Sequence, residues 1–149
     1  MTKKEFAAAL DSALKVVRKE YGFTQEKMAA VLGISKKTLV EIEKGRSSLG
    51  WTGAAAFAAI FRESCILQAQ FGGDLDDLVE ALAFAEAEPQ YPKTMGGRVW
   101  WREIWKEKGY RIQQNVVSGH FRLLDRENRR LMASFTLERV LERLKEELQ

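Results

Sequence analysis

A single cysteine, Cys65, and a single histidine, His120, are all the thiol and imidazole in this sequence of 149 residues. One thiol excludes an intramolecular disulfide, and one of each excludes a protein-only zinc site of the usual Cys/His kind. The lone cysteine fits a reducing, cytoplasmic setting, and its apolar neighbours predict a buried, inert group. Only two prolines occur, Pro89 and Pro92, both in one short stretch. No segment approaches the roughly 20 apolar residues of a membrane-spanning helix. The most apolar run, Trp51 to Phe61, is 11 residues long and leaves no membrane partner to expect. The opening residues, MTKKEF, carry charge with no apolar core behind them, so no signal peptide is expected. Nucleophile–base pairs, phosphate-binding loops and metal-ligand sets are missing as well. The expectation is a protein with no catalytic residues, no metal and no cofactor. Glu103 and Glu107, spaced i, i+4 beside Lys106 and Lys108, read as a solvated charged face.

Charge is present but unevenly spread. Residues 1–50 hold ten Lys/Arg against six Asp/Glu (+4), residues 51–97 two against seven (−5), and residues 98–149 twelve against eight (+4). A basic first third suits a polyanion, and an acidic middle suits a surface turned elsewhere.

Phe6, Leu10, Ala13, Leu14, Val17 and Tyr21 recur at spacings of three and four, which predicts an amphipathic helix over about 3–21 that ends at Gly22. Thr24 is an N-cap for a second helix buried through Met28, Ala29 and Leu32. Gly33-Ile34-Ser35 then forms a tight turn, and Ser35 caps a third helix buried through Leu39 and Ile42 and stopped at Gly45. Helix, glycine turn and helix at this spacing describe a unit that lays its second helix against DNA.

The residues Gly22-Phe23-Thr24-Gln25, Met28-Ala29, Leu32-Gly33-Ile34-Ser35, Thr38-Leu39 and Ile42-Glu43-Lys44-Gly45-Arg46 resemble the lambda-repressor-like (Cro/C1, XRE) helix-turn-helix family, over about residues 5–62. The resemblance implies binding to double-stranded DNA as a homodimer. It implies that Gln25 bonds a backbone phosphate at the start of helix two. Ser35, Lys36, Lys37 and Thr38 would occupy the exposed first turn of the recognition helix, with Glu41 one turn further along. Lys44 and Arg46 would hold phosphates beyond it. Arg18 and Glu43 match a structural ion pair between helices one and three.

Beyond the match, a fourth helix is expected over 51–62, a fifth over Ser64–Phe71 and a sixth from Leu75 to about Ala87, capped by Asp74. Residues 88–97, EPQYPKTMGG, read as a linker between a DNA-binding domain at 1–87 and a small α+β domain at 98–149. In the latter, Trp100, Trp101, Ile104 and Trp105 fall on one face of a helix ended by Gly109. Tyr110 to Asp125 reads as one extended strand with a bulge at Ser118-Gly119, and Arg130 to Phe135 as a second strand. Leu137 to Leu148, capped by Thr136, reads as a final helix. The fold class expected is mainly α: a helical bundle with a helix-turn-helix, followed by an α-β-β-α region.

Trp100, Trp101 and Trp105 are either core against the small sheet or a ligand cluster. Arg122, Arg126, Arg129 and Arg130 gather around a hairpin turn, as a solvated turn or a phosphate-gripping wing. The functional reading is a sequence-specific, repressor-like transcriptional regulator. Residues 98–149 are open to three uses: dimerisation, an antitoxin-type module that binds a protein partner and its own promoter, or a regulator that senses a small-molecule effector.

Overall fold

The computed structural model describes residues 1–87 and 100–149, and the linker expected at 88–97 lies outside them. The chain divides into two compact units, Met1–Gln90 and Tyr91–Gln149.

The first unit is helical: α1 (Lys3–Glu20), α2 (Gln25–Leu32), α3 (Lys36–Glu43), α4 (Gly50–Ile60), α5 (Cys65–Phe71) and α6 (Leu75–Ala83). Helix α1 is the spine. Phe6, Leu10, Ala13, Leu14 and Val17 are all buried along one stripe, and the helix packs against α3, α4 and α5. Alanine lets the α1–α4 crossing come close: Ala7 and Ala13 on α1 and Ala54 and Ala58 on α4 are buried in one cluster with Phe57 and Phe61. Side chains cap the helices. Thr2, Thr24, Ser35, Ser64 and Asp74 each accept a hydrogen bond from a first-turn backbone N–H. Helix α4 has no such cap. Its approach is instead set by Asp11 of α1, whose carboxylate accepts from Leu49 N at 2.8 Å. Glu20, the last residue of α1, accepts from Ser64 Oγ at 2.5 Å and Cys65 N at 2.8 Å, which ties α1 to the start of α5. Cys65 itself is exposed, which corrects the expectation of a buried thiol. It is the first residue of a helix whose inward position belongs to Leu67.

The second unit is an antiparallel meander, β1 (Trp101–Glu107), β2 (Tyr110–Asn115), β3 (Phe121–Leu124) and β4 (Arg130–Ser134), in the order β1-β2-β3-β4. Helix α7 (Leu137–Leu148) follows and packs on β3 and β4. Its Val140 and Leu144 bury Ile112 and Leu123, with Trp105, Tyr110 and Phe121 at the margin.

A helical bundle followed by a small α+β region is therefore what the chain forms, but two of its expected parts differ. The helix expected around Trp100–Trp105 is strand β1. Glu107 pairs with Tyr110 across Lys108-Gly109, and both of these residues have positive φ (54° and 84°). A two-residue turn of this kind matches strand twist and folds the segment back as a hairpin, so Gly109 turns a hairpin rather than ending a helix. The bulge expected at Ser118-Gly119 is a second hairpin turn. Asn115 Oδ1 accepts from Val117 N and Ser118 N, Gly119 N returns to Asn115 O, and the single long strand becomes β2 and β3. At α7, Thr136 holds the N-cap position without a capping bond; its N–H donates to Ser134 Oγ instead.

Lys108 is one of only two non-glycine residues at positive φ among those described, where a side chain strains the backbone. Lys108→Asn is expected to raise the stability of the second unit by about 0.5–1 kcal/mol, read from the midpoint of urea unfolding followed by tryptophan fluorescence.

Candidate nucleic-acid interface

The turn between α2 and α3 is built locally. Gly33 sits at φ 74°, its N–H returns to Ala30 O and that of Ile34 to Ala29 O. This closes α2 with a left-handed residue and aims the chain at Ser35. The same paired return closes α3, where Gly45 N bonds Ile42 O and Arg46 N bonds Glu41 O. Met28 and Ala29 from α2 and Leu39 and Ile42 from α3 enter the core.

That burial decides what α3 presents. At about 100° per residue, the side opposite Leu39 and Ile42 carries Lys37, Glu41 and Lys44, with Lys36 and Thr38 on its flanks. Lys36, Lys37, Thr38, Lys44 and Arg46 are exposed and Glu41 is half-buried. Lys36 Nζ reaches Glu26 at 3.1 Å and Arg46 lies 3.9 Å from Glu41. No ion pair engages Lys37 or Lys44 among the described residues. Ser35 and Thr38 spend their hydroxyls on the helix start: Ser35 Oγ accepts from Thr38 N at 3.1 Å and donates to Thr38 Oγ1 at 2.8 Å.

Beneath this surface lies a charged knot. Arg18 Nε on α1 donates to Glu43 Oε1 at 2.6 Å, and Arg18 Nη1 donates to the carbonyl of Phe23 at 3.0 Å. Gln25 Nε2, at the start of α2, donates to Glu43 Oε2 at 2.7 Å. The Arg18 and Glu43 side chains are only 13% and 5% exposed. One carboxylate thus joins α1, α2 and α3. Burial pushes the Glu43 carboxyl up, but the hydrogen bonds from Arg18 and Gln25, with the charges of Arg18 and Lys15, outweigh it and hold the group below its ordinary value.

Two features of the surface were not legible beforehand. Glu26 joins the exposed surface of α3 as the partner of Lys36, ten residues away, because the turn folds α2 back beside α3. Gln25 is turned inward onto Glu43, which leaves one amide hydrogen for anything outside. The residue types at these positions were in view, but the contacts span the turn and have no local spacing signal.

In the second unit the three tryptophans do not form one cluster. Trp105 pairs with Ile112 and Trp101 with Asn115, an odd offset that places them on opposite faces of the sheet. Trp105 joins the buried cluster under α7. Trp101 lies on the other face beneath the Arg122 guanidinium, 3.7 Å from its ring centre, and Trp100 is exposed. Around the β3–β4 turn, Arg129 Nε pairs with Asp125 Oδ2 at 2.9 Å and Arg126 Nε donates to Lys108 O at 3.2 Å. Arg122 is held by Gln113 on the neighbouring strand. Among the described residues no group of three or more His, Cys, Asp or Glu side chains could hold a metal ion, and no helix is long and apolar enough to cross a membrane.

Residues 14–50 match the helix-turn-helix family model, and the C-terminal region matches none. No curated protein and no solved structure matches the chain. The matched segment is similar to the helix-turn-helix of XRE-type, lambda-repressor-like DNA-binding regulators.

The lowered Glu43 carboxyl makes part of this unit's stability depend on acid pH. Its contribution is complete above the unfolded carboxyl value of about 4.3 and is lost as pH falls through the lower folded value. Glu43→Gln is expected to cost about 2 kcal/mol at pH 7. The gap to the unaltered protein should close as urea unfolding is repeated at pH 5, 4 and 3.

Proposed function

We propose that this chain is a sequence-specific DNA-binding transcriptional regulator of the cytoplasm, repressor-like, that inserts α3 in the major groove and acts as a dimer. The observation that carries this reading is the outward row of Lys37, Glu41 and Lys44 on a helix whose opposite side is buried and whose angle is held by Arg18 and Glu43. Lysine donates to the guanine O6/N7 edge and glutamate accepts from cytosine N4, so Lys37 and Glu41 are the base-reading pair. Thr38 meets a base edge or a thymine methyl at the flank. Lys44 and Arg46 neutralise phosphates past the helix end, and the remaining amide hydrogen of Gln25 donates to a phosphate at the start of α2. The Lys36–Glu26 and Arg46–Glu41 pairs are exposed and weak, and a phosphate replaces the carboxylate in each at little cost. Ser35 acts through the cap that positions Lys36 and Lys37. On a two-fold operator the two recognition helices would lie about 34 Å apart.

Binding should follow phosphate neutralisation and weaken steeply with salt. Lys37→Ala is expected to lower affinity for a selected operator about 10-fold to 100-fold, with the melting temperature nearly unchanged. Lys44→Ala should weaken all sequences alike and reduce the log–log salt slope by about 1. Selection of bound DNA from a random pool at low salt tests the reading as a whole, and failure to enrich any motif overturns it.

A further inference from the structure

Helix α7 covers one side of the sheet in the second unit, the side that carries Trp105, Ile112, Leu123 and Met132. The other side is defined by register. Gln113 stands opposite Glu103 and Arg122, and Lys106 opposite Arg111, and directly paired residues share a face. Ala133, opposite Arg122, is exposed in the middle of its strand, which leaves this face open. Charge follows the same division. Residues 100–136 hold eight Lys/Arg against four Asp/Glu, and residues 137–148 three against four. In the sheet, Glu103 is spent on Arg111, and Asp125 and Glu127 on Arg129. Among the described residues no ion pair engages Lys106 or Arg122. Arg122 is nevertheless held in place. Its guanidinium lies 3.7 Å from the Trp101 ring centre, and Gln113 Oε1 accepts from its Nε at 2.9 Å and its Nη2 at 2.7 Å. The Nη1–Nη2 edge is left free. Burial, with the charge of Arg111, pushes the Arg122 guanidinium below its ordinary value, as befits a cation with no anion beside it.

We infer that this open sheet face is a second contact with duplex DNA, made by Lys106 and Arg122 in addition to the residues of α3. The inference rests on the reading of the chain as a DNA-binding protein. Charge complementarity names the occupant. Two cations on one face lack an anion, and a phosphate backbone supplies it. Small antiparallel sheets do dock on duplex DNA. The geometry of Arg122 suits that role. A guanidinium held flat on an indole presents a pre-oriented edge, which bonds phosphate oxygens or guanine O6/N7 in pairs. A single strand is a poorer match, because its bases need bare rings to stack on. Trp101 is covered by Arg122 and met edge-on by His120, with ring centres 5.0 Å apart. A small anion is a poorer match too, because an open face gives it no enclosure.

The test is binding of the full chain to a labelled duplex of random sequence, read by fluorescence anisotropy over a salt series. Three variants are compared with the unaltered protein: Lys106→Gln, Lys106→Gln/Arg122→Gln and, as an equal loss of charge on α7, Arg139→Gln/Arg143→Gln. Lys106 is exposed, so its single substitution keeps the Arg122–Trp101 stack, and circular dichroism checks folding of each variant. The log–log salt slope should fall by about 1 for Lys106→Gln and about 2 for the sheet pair. Affinity should fall on the order of 10-fold for the sheet pair and stay nearly unchanged for the α7 pair. Sheet variants that match the unaltered protein or the α7 pair overturn the inference. A larger loss on the single strand than on the duplex also overturns it, as does an unaltered chain that binds no duplex at low salt. A random duplex does not depend on α3 finding an operator. Operator selection that fails while the sheet variants lose duplex affinity therefore removes the reading of α3 and leaves the inference standing. Sheet variants without effect leave the reading of α3 standing.

Discussion

Everything the first unit presents outward depends on one carboxylate. Glu43 sits almost out of solvent between Arg18 of α1 and Gln25 of α2. A buried ion pair contributes little net stability against an apolar alternative, since two desolvated charges offset much of their attraction. Its value here is geometric. Apolar contacts through Leu39 and Ile42 leave α3 free to roll by small angles, whereas a bidentate guanidinium–carboxylate contact has a fixed plane and length. With α1 held in the core by Phe6, Leu10, Leu14 and Val17, that contact fixes the roll of α3 and so the direction of Lys37 and Glu41.

The same logic of cheap packing and specific polar ties recurs through the bundle. Alanines bring α4 against α1, where bulkier side chains would hold the helices apart. Asp11 and Glu20, both on α1, then accept backbone N–H groups at the starts of α4 and α5. These carboxylates act as remote caps, satisfying donors that a helix start otherwise leaves to water. The result is a spine helix that sets position by apolar burial and orientation by three carboxylate contacts along its length: Asp11, Glu20 and, through Arg18, Glu43.

In the second unit the sheet divides its aromatic residues by face. The bulge between Glu103 and Trp105 shifts the register of β1 on β2. Trp105 turns inward to cover Ile112, while Trp101 stays on the far face under Arg122. A stacked guanidinium over an indole keeps its outer plane solvated, which suits a face not covered by α7.

What the amino-acid sequence determined by itself was the part of the fold written in short-range contacts. The stripe of α1, the caps at Thr24, Ser35 and Asp74, the glycine turn at Gly33 and the apolar stripe of α7 each involve residues within a turn or two of one another. Their periodicity is visible without knowing what packs on them. The pairing of Arg18 with Glu43 was legible only through resemblance, and the inward turn of Gln25 and the Glu26–Lys36 contact were not legible at all, because both cross from one helix to the next. Trp100, Trp101, Ile104 and Trp105 show the limit most clearly. Their spacing satisfies a helical face, and only pairing with β2 across Lys108-Gly109 decides for a strand. That choice is tertiary because a strand has no hydrogen bonds of its own: its backbone is satisfied by a neighbour brought alongside, and no local pattern records that neighbour.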